Sequence, residues 1–185
     1  MAEFSPAIKI VLKHEGGYVN NPNDPGGETK YGISKASYPH LNIKNLTENE
    51  AKGIYYQDYW LKNGLNGIVN QNTANFALDT LVHHGQGARI LQQAVADTGG
   101  YTAPDNAMGP KTIAAINSLP QNAYLTNAIK RRIKYMEDLV RRNPALAEFL
   151  TGWKIRAGFF LVKPYIIPAL SLLTLGALYF YLRQK

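Results

Sequence analysis

Cysteine is absent from this chain of 185 residues. That excludes disulfides and thiolate-held zinc, and it leaves the redox compartment open. Several reaction motifs are missing too: there is no P-loop and no Gly-x-Ser-x-Gly nucleophile turn. Gly85-x-Gly87 lacks both a third glycine and a preceding strand pattern, so it is no dinucleotide site. His14-Glu15 does not begin a zinc-protease helix, because Tyr18 stands where the second histidine belongs. The four histidines show no ligand spacing apart from adjacent His83 and His84, whose side chains diverge on a helix. Neither a metal nor a cofactor is expected.

Acidic residues are scarce. Thirteen face twenty basic ones, for a net charge of +7, and none follows Glu148. An excess of this size suits a polyanionic partner such as cell wall or a phospholipid surface, and serves solubility equally well. No nucleic-acid motif accompanies it, so nucleic acid is not expected as a partner. With 45% hydrophobic and 18% charged residues, the chain can bury the core of one domain, with room for an appendage.

Charge disappears entirely near the carboxyl end. From Pro164 to Leu182 nineteen residues carry no charged side chain, and roughly 20 apolar residues span a bilayer core. Lys163 precedes the run, Arg183 and Lys185 follow it, and Tyr165, Tyr179 and Tyr181 flank it as an interfacial belt does. The expectation is one transmembrane helix over 164–182, within an anchor spanning 158–185. The amino-terminal apolar run differs: Lys9 and Lys13 interrupt it and Glu15 ends it, which is unlike a secretion signal.

Elsewhere the patterning is helical. Ser5-Pro6 reads as N-cap and first position of a helix, with Ala7, Ile8, Val11, Leu12 and Glu15 on one face. Thr47 to Glu50 is a capping box with Leu46 as staple, opening a helix to about Lys62 that stops at Gly64. Its Tyr55, Tyr56, Tyr59 and Trp60 suit a sugar cleft, although such a stripe serves more often as core. Thr73 to His84 has the period of a buried central helix, and another helix follows the Gly85-Gln86-Gly87 break. Pro110, Pro120 and Pro144 each open a further helix. The second of these carries Lys130, Arg131, Arg132, Lys134, Arg141 and Arg142 opposite its apolar side. A solvated face is the default for such a run, and attraction to anionic polymer or lipid the sharper alternative.

The densest chemistry lies between His14 and Ile33. Glu15 ends an apolar helix, where burial and the negative helix end both disfavour a charged carboxyl. Gly16-Gly17 breaks the helix, and the turn-rich run Asn20 to Gly27 follows, with Asp24-Pro25-Gly26 at its centre. Glu28 to Ile33 then suits a short strand returning toward the helix. Glu15, Asp24 and Thr29 thus group two carboxyls and a hydroxyl on the two sides of a hairpin-like excursion, about one sugar ring apart. A plain surface loop would use the same residue types.

The run HEGGYVNNPNDPGGETKYGIS from His14 to Ser34 resembles the signature of glycoside hydrolase family 108, the Glu-Gly-Gly-Tyr muramidases of phages and bacterial secretion systems. Leu78-Asp79 through Gly85, Ala88 with Leu91-Gln92, and Met108 to Thr112 resemble its peptidoglycan-binding-like half, and Phe149 to Trp153 with Arg156 its closing motif. The likeness covers about residues 3–157. One departure is His83-His84-Gly85 where the family pattern has Asn-His-Gly.

The resemblance implies a mainly α (α+β), lysozyme-like fold with a small β-hairpin region near residues 18–33. Residues 1–70 would form a catalytic lobe and 71–157 a helical peptidoglycan-binding-like lobe of the same globular unit. The implied activity is hydrolysis of the β-1,4 bond between N-acetylmuramic acid and N-acetylglucosamine in peptidoglycan glycan strands. The catalytic glutamate falls on Glu15. The spacing to Asp24 and Thr29 is similar to the acid, carboxylate and threonine of small phage lysozymes, one residue shorter before the threonine. Tyr18, Tyr31, Tyr59, Trp60 and His84 are the candidate substrate contacts. A lytic transglycosylase and a non-catalytic, membrane-anchored wall-binding or structural virion protein are the rival readings. With an anchor, the expected location is the internal membrane of a membrane-containing phage, among other virion proteins, or the host inner membrane facing the periplasm.

Overall fold

A computed structural model describes residues 1–20 and 27–161. The expected transmembrane stretch 164–182 lies outside them, and among the described residues no helix is long and apolar enough to cross a membrane.

The first helix, α1 (Phe4–Glu15), begins earlier than Ser5-Pro6 predicts. Glu3 occupies the N-cap and its side chain caps nothing. The end is instead fixed from outside. Gln71 accepts from the Glu3 amide at 2.7 Å and donates to the Glu3 carbonyl at 2.8 Å, while the Ala2 amide donates to the Ile68 carbonyl at 2.8 Å. Tertiary hydrogen bonds thus replace the local cap. Ala7, Ile8 and Val11 are buried at helical spacing, facing α3.

After α1 come two short antiparallel strands, β1 (Thr29–Lys30) and β2 (Ile33–Ser34). Tyr31 and Gly32 link them with φ of 52° and 77°, the positive pair that a two-residue hairpin needs to match strand twist. Val19 and Thr29 exchange backbone hydrogen bonds at 2.8 and 2.9 Å, closing the excursion back onto the end of α1.

The capping box forms as its residues predict: the Glu50 carboxylate accepts from the Thr47 amide at 2.7 Å, and the Thr47 hydroxyl from the Glu50 amide at 3.3 Å. It starts α2 (Glu48–Ile54), which widens into π-helical turns over Tyr55–Leu61 before Gly64 ends the run in the left-handed region. The central helix α3 (Gln71–His83) is buried continuously from Thr73 to Thr80. Asn70 caps it, its side chain accepting from the Thr73 amide at 3.0 Å. The next helix, α4 (Gly87–Asp97), crosses α3 so closely that a Cβ at Gly87 would stand 2.7 Å from the Thr80 carbonyl oxygen. Then follow α5 (Pro110–Ser118), the long α6 (Gln121–Arg142), a 3-10 turn at Pro144–Leu146 and α7 (Ala147–Gly158). The result is mainly helical with one small two-stranded sheet, its core gathered around α3.

Candidate active site

Glu15 closes α1, and Gly16 turns the chain away with φ of 73°. Its side chain, 18% exposed, meets a cation from the far end of the sequence: Arg156 Nη2 on α7 donates to Glu15 Oε1 at 2.7 Å. The same guanidinium grips Asp79 of α3, with Nε 3.0 Å and Nη2 2.8 Å from Oδ1. Asp79 is fully buried and takes a second cation, Arg132 Nη1 of α6, at 2.7 Å on Oδ2. Arg132 is itself fully buried, with Nε donating to His84 Nε2 at 3.2 Å and Nη2 standing 3.0 Å from His83 Nδ1. Two carboxylates and two guanidiniums therefore alternate from the partly exposed Glu15 into the interior. Alternation is what makes such burial tolerable, since an isolated charge here would cost several kcal/mol.

Protonation in this network follows from its charges. Burial opposes the Asp79 charge, but Arg132 and Arg156 outweigh it and hold the carboxyl below its usual range. Burial pushes His83 down to about 4, reinforced by Arg156 and Arg132. His84 is driven lower still, by burial and then Arg132. His14, with Nδ1 3.8 Å from Asp79 Oδ1, is lowered by burial as the main cause, and Asp79 offsets part of that. These three imidazoles are neutral at pH 7.

The opposite wall around Glu15 is the hairpin turn. The Tyr55 hydroxyl, on a buried ring, donates to the Tyr31 carbonyl at 2.9 Å. A Cβ at Gly32 would stand 2.4 Å from that hydroxyl and 2.7 Å from Glu15 Oε2. Glycine is required twice over here, by the positive φ and by the closeness of two functional oxygens. Burial, followed by the nearby Glu15 charge, raises the Tyr55 hydroxyl above its ordinary range.

The remaining sequence candidates fall in different places. Thr29 lies in β1, its hydroxyl donating to the Gly27 carbonyl at 3.4 Å. Asp24 lies outside the described residues. Tyr31 occupies the hairpin turn, and Lys30 Nζ stands 5.5 Å from its ring centroid. Tyr18 is exposed and donates to Glu28 Oε1 at 3.1 Å. Tyr59 is half-buried, its ring centroid 5.5 Å from that of Tyr55. Trp60 must be corrected: it is 2% exposed, set edge-on against Phe4 in the core, and offers no face to a sugar. His84 must be corrected as well, because it is buried and its Nε2 is taken by Arg132. The sequence reading missed Arg156, Asp79, Arg132 and Gly32 as parts of the site, and had Tyr55 only as one of an aromatic stripe. Arg156 and Asp79 did stand within the family-like motifs, without a role. Among the described residues, no three His, Asp or Glu side chains cluster as metal ligands do.

Comparison with known proteins gives two adjacent matches. Residues 8–85 match the family model described as Glycosyl hydrolase 108, and residues 86–158 the one described as Predicted Peptidoglycan domain. No curated protein matches the chain. A solved structure of Brucella abortus SagA is similar at 25% identity and a TM-score of 0.65, over 88% of this chain and 98% of that one.

Proposed function

We infer that the chain is a muramidase-type peptidoglycan hydrolase and that Glu15 is its general acid. The observation that carries the assignment is the setting of Glu15: it closes α1 with Oε1 held by Arg156 and Oε2 facing the Gly32–Tyr55 wall. Arg156 fixes the carboxyl in one rotamer, and Oε2 has no hydrogen bond among the described residues. In its acid form Glu15 protonates the oxygen leaving from the scissile β-1,4 bond between N-acetylmuramic acid and N-acetylglucosamine. Asp24 then stabilises the oxocarbenium-like transition state or helps activate water, and Thr29 positions that water. Tyr18, Tyr31 and Tyr59 remain the candidates for substrate contact.

Replacing Glu15 with Gln keeps the shape and the Arg156 hydrogen bond but removes the proton donor. Clearing of a peptidoglycan suspension should slow by about 10²–10⁴-fold, the usual share of general acid catalysis. Clearing at near wild-type rate would sink the assignment. Mass spectrometry of the released fragments sorts the chemistry: reducing ends mean hydrolysis, and 1,6-anhydro ends mean transglycosylation.

We also propose that residues 164–182 hold this catalytic body at a bilayer, either the internal membrane of a phage or the host inner membrane. The uncharged run between Lys163 and Arg183 supports this reading. A chain ending at Leu161 should move from the membrane fraction to the soluble fraction with its muramidase activity retained. Equal partitioning of the two chains would overturn the anchor.

A further inference from the structure

We propose that a groove between α4 and α6 is a second binding site, one that takes the carboxylate-bearing peptides of the wall polymer. The proposal rests on the reading of the chain as a peptidoglycan hydrolase. The groove, of about 920 Å³, is lined from α6 by Arg131, Lys134, Tyr135, Asp138, Arg141 and Arg142 among others. These recur every three or four residues, so they form one ridge roughly 16 Å long. Gln86, Arg89 and Gln93 form the facing ridge. The two helices run antiparallel, since Asp97 at the end of α4 pairs with Arg131 while His84, just before α4, packs on Tyr135.

Three features of the groove select its occupant. The first is charge. Arg131 is neutralised by Asp97, and Arg141 and Lys134 share Asp138 at 3.0 and 3.7 Å. Arg89 and Arg142 have no carboxylate within ion-pair distance among the described residues, and they leave the groove net positive. The sugars of the intact wall polymer, where the lactyl carboxyls are tied up as amides to the peptides, would not use that field, whereas the free carboxylates of those peptides would.

The second is a buried acceptor, Gln86 Oε1, with no hydrogen bond from the described residues. Asp138 Oδ1 in the same groove is buried as well but is ion-paired with Arg141 Nη1 at 3.0 Å. An unpaired buried acceptor calls for a ligand with N–H or O–H donors. A peptide supplies amide donors. A bare phosphate polymer offers chiefly acceptors and would leave Gln86 Oε1 unpaired.

The third is length, because an extended peptide of about five residues spans roughly the same 16 Å. The half-buried Tyr135 ring and Leu139 supply apolar floor between the charges.

The test is pelleting of the full chain carrying Glu15→Gln, which leaves the wall uncut, with purified wall sacculi. Adding Arg89→Glu and Arg142→Glu should weaken pelleting by about tenfold, and an excess of soluble wall peptide with free carboxylates should compete with the sacculi to the same degree. Unchanged pelleting by the charge-reversed chain, or no competition by the soluble peptide, would overturn the proposal. So would a loss confined to DNA or to phosphatidylglycerol vesicles. The catalytic reading is checked separately, with Glu15 intact, on a soluble peptide-free glycan. There the charge-reversed chain should turn over as the wild type does, and a wild type that fails to turn over would sink the hydrolase reading without touching the groove.

Discussion

Arg156 ties the site's outer carboxylate to its inner one. It meets Glu15 and Asp79 at once, so its removal leaves Glu15 without a cation and takes one of two cations from the fully buried Asp79. Breaking a buried pair by deleting one partner costs about 3–5 kcal/mol. Arg156→Gln is therefore expected to lower stability by that order in chemical denaturation. It should also release Glu15 to other rotamers, reducing turnover beyond what the stability loss explains. Asp79→Asn in the same chain should lower stability further, because it leaves the fully buried Arg132 guanidinium with no carboxylate partner among the described residues. It should leave turnover low, because Glu15 still lacks its anchor. If the pair of substitutions were merely additive in stability, the coupling described here would be wrong. Arg156→Lys is no conservative change at this position, because a single ammonium cannot span two carboxylates as the planar guanidinium does.

At the level of elements, local signals were legible and tertiary ones were not. The capping box at Thr47–Glu50, the buried period of α3 and the prolines at the starts of α5 and α6 each depend on residues a few positions apart, and each formed where expected. Pro144 instead opens a 3-10 turn, and α7 begins only at Ala147. The hairpin near residues 18–33 was legible for the same reason, from turn residues beside a strand-like run. Misreadings came where a distant partner decided. Ser5-Pro6 lost the amino end of α1 because Gln71 bonds Glu3 instead. The aromatic stripe split: Trp60 and Tyr55 went to the core while Tyr59 stayed half-buried, and the widened π-helical turn that sets their directions leaves no mark in apolar spacing. Glu15 could be singled out from its own neighbourhood. Its partner Arg156 lies 141 positions away, and only folding brings the two together. Gly32 reads from sequence as a turn glycine, yet the two oxygens that forbid a side chain there belong to Glu15 and Tyr55.

For the molecule as a whole, the buried network makes acid the weak side of stability. His83 binds a proton at about 4 when folded and near its ordinary value of 6.5 when unfolded. Between those values the unfolded chain holds a proton that the folded one refuses, so stability rises with pH across the window and is lost as pH falls through it. His84 and His14 are lowered for the same leading reason, burial, and act in the same direction. Asp79 extends the trend. Its folded carboxyl titrates below 3.8, so its contribution is present above that value and is lost as pH falls further. Each pH unit across the histidine window should cost on the order of 1 kcal/mol for His83. For His83 alone that amounts to about 3 kcal/mol between pH 6.5 and 4, or roughly 10 °C in Tm for a domain of this size. Thermal unfolding followed by circular dichroism from pH 7.5 to 4 measures this directly. His83→Gln keeps an acceptor for Arg132 but cannot titrate, so it should reduce the slope between pH 6.5 and 4 by the share of His83 and leave the shares of His84 and His14 in place. A wild-type Tm that holds level from pH 7 to 4.5 would mean that these imidazoles are not held neutral, and the charge alternation from Glu15 to Arg132 would need redrawing.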